Sequence, residues 1–108
     1  MPGGFAHPVE EELAKVFDEL GIAWEYEPTT FVLERDDEGR VTSAFTPDFY
    51  LPEQDIYVEV TTMKQKLTAK KNRKLRKLRE QGVLVTMLYR RDFERLRERH
   101  GFPFDAAA

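Results

Sequence analysis

The sequence predicts one α/β domain with the element order α-β-β-β-α-β and a trailing C-terminal helix, in which a mixed central sheet is flanked by helices. Three observations predict this fold class. Apolar residues recur at helical spacing in two separate segments, and the stretches between them are rich in β-branched and aromatic residues. The length of 108 residues leaves room for one hydrophobic core. We therefore expect residues 1–108 to form a single domain.

The first half of the chain predicts a helix followed by a hairpin. An amphipathic helix is expected over about His7–Leu20, because its apolar residues lie three and four positions apart, and Gly21 then ends it. Ile22–Leu33 and Arg40–Leu51 have the composition of strands, and the turn sequence Asp36–Gly39 lies between them. The pattern predicts two long strands that pair as a hairpin.

The second half predicts a strand, a helix and another strand. Pro52 breaks the chain, after which Asp55–Thr61 alternates between apolar and polar residues as a third strand. A second helix ends near Gln81–Gly82, and the apolar run Val83–Tyr89 is typical of a buried strand. The apolar positions that mark this second helix are Leu67, Leu75 and Leu78.

The chain closes with a short helix. Asp92 stands where an N-cap residue is expected, immediately before the apolar positions Phe93 and Leu96. An aspartate in that place accepts a hydrogen bond from the first free backbone amides of a helix. We therefore predict that the last helix begins after Asp92.

Composition excludes several classes of site. There is no cysteine, which removes disulfides, zinc-thiolate sites and thiol nucleophiles, and two histidines make a histidine-based metal cluster improbable. No apolar run approaches the roughly 20 residues that a membrane span needs, and the first residues lack the pattern of a signal peptide. We expect a cytoplasmic protein with no membrane partner.

Charge is divided unevenly along the chain. Residues 1–63 hold fifteen acidic and three basic residues, whereas residues 64–108 hold fourteen basic and five acidic ones. Residues 64–79 carry nine lysines and arginines and no acid, so pairs of opposite charge within the helix cannot neutralise them. The alternative is a solvated surface, but the pattern favours contact with the phosphate backbone of a nucleic acid. The expected contact residues are Lys66, Lys70, Asn72, Arg73, Lys74 and Lys77.

Two carboxylates are expected to face each other in the sheet. If the second hairpin is centred between Glu53 and Gln54, paired residues have numbers that sum to about 107, which places Asp48 opposite Glu59. Like charges in that position destabilise a sheet unless one is protonated or a cation lies between them. Oxygen ligands alone favour Mg²⁺ or Mn²⁺. The alternative is that both side chains point into solvent.

The segment Phe45–Pro52 (FTPDFYLP), followed by Asp55–Val60 (DIYVEV), resembles the signature of the PD-(D/E)XK nuclease superfamily. In that family a Pro-Asp pair precedes an acid on the next strand, and the core has the order α-β-β-β-α-β. The chain is also similar to short stand-alone bacterial members of the family. The resemblance implies a restriction-endonuclease-like fold and covers nearly the whole chain.

The resemblance also implies a set of site residues. Asp48, Glu59 and the backbone carbonyl of Val60 would bind the metal ion. A glutamate of the first helix usually completes the site, and helical geometry favours Glu10 over Glu11 because Glu10 flanks the buried side of the helix. The alternative for Glu10 is an ordinary acid that stabilises the helix N-terminus.

The chain departs from the family pattern at one position. Thr61 stands where the family has a lysine, and threonine cannot supply a positive charge. Two lysines of the second helix, Lys64 and Lys71, project to within about 40° of Leu75 on its apolar side and are candidates to replace it. Lys64 is favoured because it is nearer to Glu59 in sequence. The alternative is that both extend to solvent.

These observations predict a Mg²⁺- or Mn²⁺-dependent endonuclease that hydrolyses DNA, with catalytic residues Glu10, Asp48, Glu59, Lys64 and Lys71. The expected partner is duplex or branched DNA rather than RNA, and a homodimer would allow cutting of both strands. Two alternatives remain open. One is a catalytically inactive nucleic-acid-binding module on the same fold, and the other is a regulatory domain whose basic helix docks on an acidic partner.

Overall fold

The computed structural model describes residues 4–62 and 65–99, and of residues 65–67 only the backbone. These described residues form three α-helices, six strands and one short 3-10 helix. The elements are α1 (Pro8–Glu19), β1 (Glu25–Tyr26), β2 (Phe31–Arg35), β3 (Val41–Phe45), β4 (Phe49–Leu51), β5 (Ile56–Thr61), α2 (Gln65–Glu80), β6 (Val85–Tyr89), a 3-10 helix (Arg90–Asp92) and α3 (Phe93–Arg99).

The main sheet is mixed and has four strands in the order β1-β4-β5-β6. β1 pairs with β4 and β4 with β5 in antiparallel fashion, whereas β5 and β6 are parallel. Parallel neighbours need a crossover connection, and α2 provides it. The predicted α/β class with a mixed sheet and three helices is confirmed, and it brings α2 alongside the strand that carries Glu59.

Hydrophobic residues pack in two clusters. The larger cluster joins α1 and α3 to β4, β5 and β6, and its centre includes Phe17, Phe49 and Leu96. The smaller cluster joins α2 to the β2–β3 hairpin through Leu75 and Leu78, which are fully buried. Full burial of one such side chain stabilises the folded state by about 2 kcal/mol. The sheet is thus covered by helices from two clusters, with α2 held by the smaller one.

The first helix forms as predicted. Pro8 stands in its first turn, where the missing amide hydrogen costs nothing, and Gly21 follows it with φ 70°, a backbone conformation that favours glycine. The apolar side of α1 lies in the larger cluster and Glu10 is buried beside it. α1 thereby brings one carboxylate to the sheet.

The predicted hairpin across Asp36–Gly39 is confirmed, but the prediction that its two strands are long and continuous is wrong. Ile22–Leu33 contains two separate strands, β1 and β2, and Arg40–Leu51 contains β3 and β4. The interruptions hold Pro28 and Pro47, which have no backbone N–H for a ladder, and Glu27 has φ 46°. β1 pairs with β4 in the main sheet, while β2 pairs with β3 in a separate two-stranded sheet.

The predicted register of the second hairpin is confirmed. Phe49 pairs with Val58, Tyr50 with Tyr57, and Leu51 with Ile56, each pair summing to 107. Phe49, Val58, Leu51 and Ile56 lie in the larger cluster, as expected for the apolar face. Continued by one residue, this register aligns Asp48 with Glu59 immediately beyond the ladder.

The last helix begins after Asp92, as predicted. The prediction that Asp92 caps this helix by accepting a hydrogen bond from its first backbone amides is wrong. The Asp92 carboxylate accepts a hydrogen bond from the backbone N–H of Tyr89 at 2.8 Å. Asp92 belongs to a 3-10 helix that precedes α3 directly, so its side chain folds back on Tyr89 instead of capping Phe93 and its successors. Within the described ranges 4–62 and 65–99, no helix is long and apolar enough to cross a membrane.

Candidate functional site

Asp48 and Glu59 are fixed against each other by backbone hydrogen bonds. The N–H of Asp48 donates to Glu59 Oε1 at 3.2 Å, and the N–H of Val60 donates to Asp48 Oδ2 at 2.9 Å. The carbonyl of Asp48 accepts a hydrogen bond from Glu27 N–H at 2.8 Å, which joins the end of β1 to the same point. Both acids are buried, with exposed fractions of 7% and 4%. The alternative that these two side chains point into solvent is therefore wrong.

Burial changes the protonation of this pair. Burial, followed by the charge of Glu59, raises the pKa of Asp48 from its ordinary value to about 8, and the charge of Glu10 contributes in the same direction. Burial also raises the pKa of Glu59, although Lys71 opposes this rise. Without a further cation, burial therefore favours the protonated form of Asp48.

Lys71 is the cation that reaches the pair. Its Nζ lies 2.7 Å from Glu59 Oε2 and donates a hydrogen bond to the carbonyl oxygen of Val60 at 3.0 Å. Lys71 stands on the inner side of α2, one turn before the buried Leu75. The alternative that Lys71 extends into solvent is wrong, because its side chain is 16% exposed. Lys64, favoured by sequence proximity, lies outside the described residues.

Glu10 is the first-helix glutamate that turns inward. It is 3% exposed, and its Oε1 accepts a hydrogen bond from the hydroxyl of Tyr26 at 2.5 Å. Glu11 and Glu12 lie on the surface, where they pair with Lys15 and with an arginine of the 3-10 helix respectively. The location expected for Glu10 is confirmed, and its role as a metal ligand stays a prediction.

These groups line one open cleft of about 410 Å³. Five predicted site residues lie in its wall, namely Glu10, Asp48, Glu59, Val60 and Lys71, and Thr61 lies there too. The wall also contains His7 and Glu27, which the sequence did not single out. The sequence does contain a signal for Glu27. Pro28 follows it, and a proline inside a strand-like run predicts an interruption of the strand at that point.

The cleft offers oxygen donors. Two buried carboxylates and the carbonyl of Val60 converge beside one lysine, and Glu10 adds a third acid to the same wall. As they stand, no three histidine, cysteine or carboxylate side chains within residues 4–62 and 65–99 have the arrangement of a metal site. Carboxylate and carbonyl oxygens are the ligands that a hard divalent cation takes, and these residues could supply them.

The basic helix divides into two sides. Lys74 donates a hydrogen bond to the carbonyl of Ala44 at 3.1 Å, and Lys77 forms an ion pair with Glu34 of the β2–β3 hairpin. Among the other predicted contact residues, Lys70, Asn72 and Arg73 are exposed, and the side chain of Lys66 lies outside the described part of the chain. The hairpin thus engages part of the basic surface that the sequence assigned to nucleic acid.

Comparison with known proteins found no family model, no curated protein and no solved structure that matches this chain.

We predict that the metal-free protein loses stability as pH rises. Because the pKa of Asp48 in the folded state lies above its ordinary value, the folded form binds this proton more tightly than the unfolded chain. The stabilising effect is complete below about pH 4 and is lost as pH rises through about 8. Urea unfolding in EDTA should show wild type losing at least about 1 kcal/mol relative to Asp48→Asn over this range.

Asp55→Asn is the matched control for this measurement. Asp55 is an exposed aspartate in the turn that links β4 to β5, and its carboxylate accepts a hydrogen bond from Tyr50. This variant should keep the wild-type pH profile. Parallel pH profiles for wild type and Asp48→Asn would show that burial does not hold a proton on Asp48.

Proposed function

We propose that this protein is a metal-dependent endonuclease that hydrolyses phosphodiester bonds of DNA. The observation that carries the proposal is the meeting of Glu10, Asp48, Glu59 and Lys71 in the wall of one cleft. These residues come from α1, β5, α2 and the segment before β4. Burying three acids at one point without a function is costly, and phosphodiester hydrolysis is a reaction that uses such a cluster.

The order of the strands supports a restriction-endonuclease-like fold of the PD-(D/E)XK type. If β1 and β2 are counted as one interrupted strand, and β3 and β4 as another, the element order becomes α-β-β-β-α-β followed by α3. The main sheet then runs through these strands in chain order, with the last pair parallel. The sequence resemblance and this topology agree on where the acids belong, at the start of β4 and near the end of β5.

The donor set names the residues that would hold a Mg²⁺ or Mn²⁺ ion. These are the carboxylates of Asp48 and Glu59 and the carbonyl of Val60, with Glu10 completing the site from α1. When bound, such an ion would polarise the scissile phosphate and help to ionise the attacking water. Glu59 and Val60 present to Lys71 the same oxygens that they would offer to the ion, so Lys71 competes for them.

Lys71 supplies the positive charge that Thr61 cannot. Thr61 is buried at the end of β5, in the position that carries lysine in the family pattern, and Lys71 enters the same cleft from α2. Displaced from Glu59, Lys71 would contact a phosphate oxygen and offset the negative charge that develops during attack. Its ammonium can also orient the attacking water.

A nucleic-acid substrate is favoured because the open side of α2 is basic. Lys70, Arg73 and Arg76 are exposed on the helix that carries Lys71, and α2 has no acid before Glu80. Phosphate contacts from such a face fix the position of the duplex and gain affinity through counterion release. The backbone would thus be held on α2 with one phosphodiester at the cleft.

We predict that wild type nicks supercoiled plasmid in Mn²⁺ and that Asp48→Asn does not. The substitution keeps the size of the side chain and removes the negative charge that the proposed ion needs. Agarose gels over a time course, with and without EDTA, measure the effect. Asp55→Asn should nick at the wild-type rate because this residue lies outside the cleft wall. Equal nicking by Asp48→Asn would contradict the proposal, and DNA binding without nicking by wild type would favour an inactive binding module.

We predict that Lys71→Met lowers the nicking rate by about 100-fold or more, a loss typical of removing one group that stabilises a transition state. The affinity for Mn²⁺ should be retained or increased, because methionine cannot compete for Glu59 Oε2 and the Val60 carbonyl. Single-turnover nicking and calorimetric Mn²⁺ titration separate the two effects. Lys15→Met, on the exposed side of α1, is the control. Full activity in Lys71→Met would assign the cation to another residue.

We predict that Arg73→Ala weakens DNA binding and lowers its salt dependence, whereas Lys77→Ala changes both less. One lost phosphate contact lowers the slope of log affinity against log salt by about 1. Lys77 contributes less because its ammonium is already paired with Glu34. Fluorescence anisotropy of a labelled duplex in EDTA, across a range of salt concentrations, measures both quantities. A larger effect for Lys77→Ala would mean that DNA displaces the hairpin from α2.

A further inference from the structure

Tyr26 contacts a cleft residue, Glu10, although Tyr26 itself belongs neither to the cleft wall nor to the proposed metal ligands. It lies on β1, at the edge of the main sheet, and its hydroxyl donates to Glu10 Oε1 at 2.5 Å. The same hydroxyl oxygen accepts a hydrogen bond from the backbone N–H of Ala6 at 3.0 Å. A phenol has one hydrogen to donate. Because Ala6 can only donate, the hydrogen of Tyr26 must point at Glu10.

The ring of Tyr26 is held in place by its neighbours. It packs edge-on against Phe49 with centroids 5.6 Å apart and against Phe5 with centroids 4.8 Å apart. Tyr26 also pairs with Phe49 in the β1–β4 ladder. Phe49 directly follows Asp48, so the hydroxyl of Tyr26 is fixed relative to Asp48 as well as to Glu10.

Glu10 needs such a fixed partner. Glutamate has three rotatable side-chain bonds, and Glu10 reaches the cleft from a helix outside the sheet. Glu10 and Asp48 line the same cleft wall. The hydrogen bond from Tyr26 restrains Oε1 and so limits the rotation of the Glu10 carboxylate. Groups that orient ligand side chains in this way change metal affinity by about 10- to 100-fold when they are removed.

We propose that Tyr26 is a positioning residue that orients the Glu10 carboxylate as a ligand of the divalent ion. This inference rests on the proposed function. The ligand class is a hard divalent cation, and Tyr26 acts on it only through Glu10. The hydrogen bond from the hydroxyl restricts rotation of the Glu10 side chain. The Glu10 carboxylate would then be oriented for the ion before the ion binds.

The test is Mn²⁺ affinity of Tyr26→Phe, measured by calorimetry on the full chain. This substitution keeps the ring that packs on Phe49 and removes only the hydroxyl. We expect an affinity about 10-fold weaker than that of wild type. Tyr50→Phe is the matched control, because Tyr50 lies on the neighbouring strand β4 and its hydroxyl donates to Asp55 outside the cleft wall, at 2.7 Å. It should bind Mn²⁺ as wild type does.

A double-mutant cycle separates positioning from general loosening of the fold. Glu10→Gln alone should weaken Mn²⁺ binding, and adding Tyr26→Phe to it should cause no further loss, because the hydroxyl then has no ligand to orient. Additive losses would overturn the inference, as would wild-type affinity in Tyr26→Phe. Wild type that binds no Mn²⁺ would overturn the proposed function itself, so the two failures are distinguishable.

Discussion

The structure depends on the burial of two carboxylates at the end of a hairpin. Asp48 and Glu59 are held by reciprocal hydrogen bonds, so turning either side chain to water breaks a hydrogen bond with the neighbouring backbone. The geometry is thereby fixed before any ligand arrives. Burial of two negative charges is unfavourable. It raises the pKa of Asp48, which favours a proton there, and the ammonium of Lys71 offsets the charge of Glu59. Buried titratable groups whose pKa values are shifted in this way cluster at functional sites.

Much of the site followed from local patterns. The register of the second hairpin was predicted because the turn at Glu53–Gln54 and the period-two alternation of β5 leave one alignment that buries Phe49 and Val58 together. The inward direction of Glu10 followed from helical geometry on α1. These residues lie within regular elements, where side-chain direction is set by the element alone.

What could not be predicted depends on contacts between distant elements. The split of the first two strands follows from Glu27–Pro28 and Pro47, whose local signal was outweighed by the strand-like composition around them. The partners of Lys74 and Lys77 are set by the β2–β3 hairpin, which packs on α2 only in the folded chain. The hydrogen bond from Tyr26 to Glu10 joins residues 16 positions apart on different elements, and no periodicity encodes it.

Because Lys71 comes from α2, the site is complete only when α2 is packed against the rest of the fold. If the lysine stood on the same strand as the acid, a single element would carry both the carboxylate and the ammonium. Here the two acids belong to the sheet, whereas Lys71 reaches them only when α2 docks through Leu75 and Leu78 in the smaller cluster. Partial opening of that helix would leave the carboxylates in place and withdraw their counter-charge. The complete cleft therefore requires α2 to be folded and packed. A partly folded molecule would have the acids but not the ammonium.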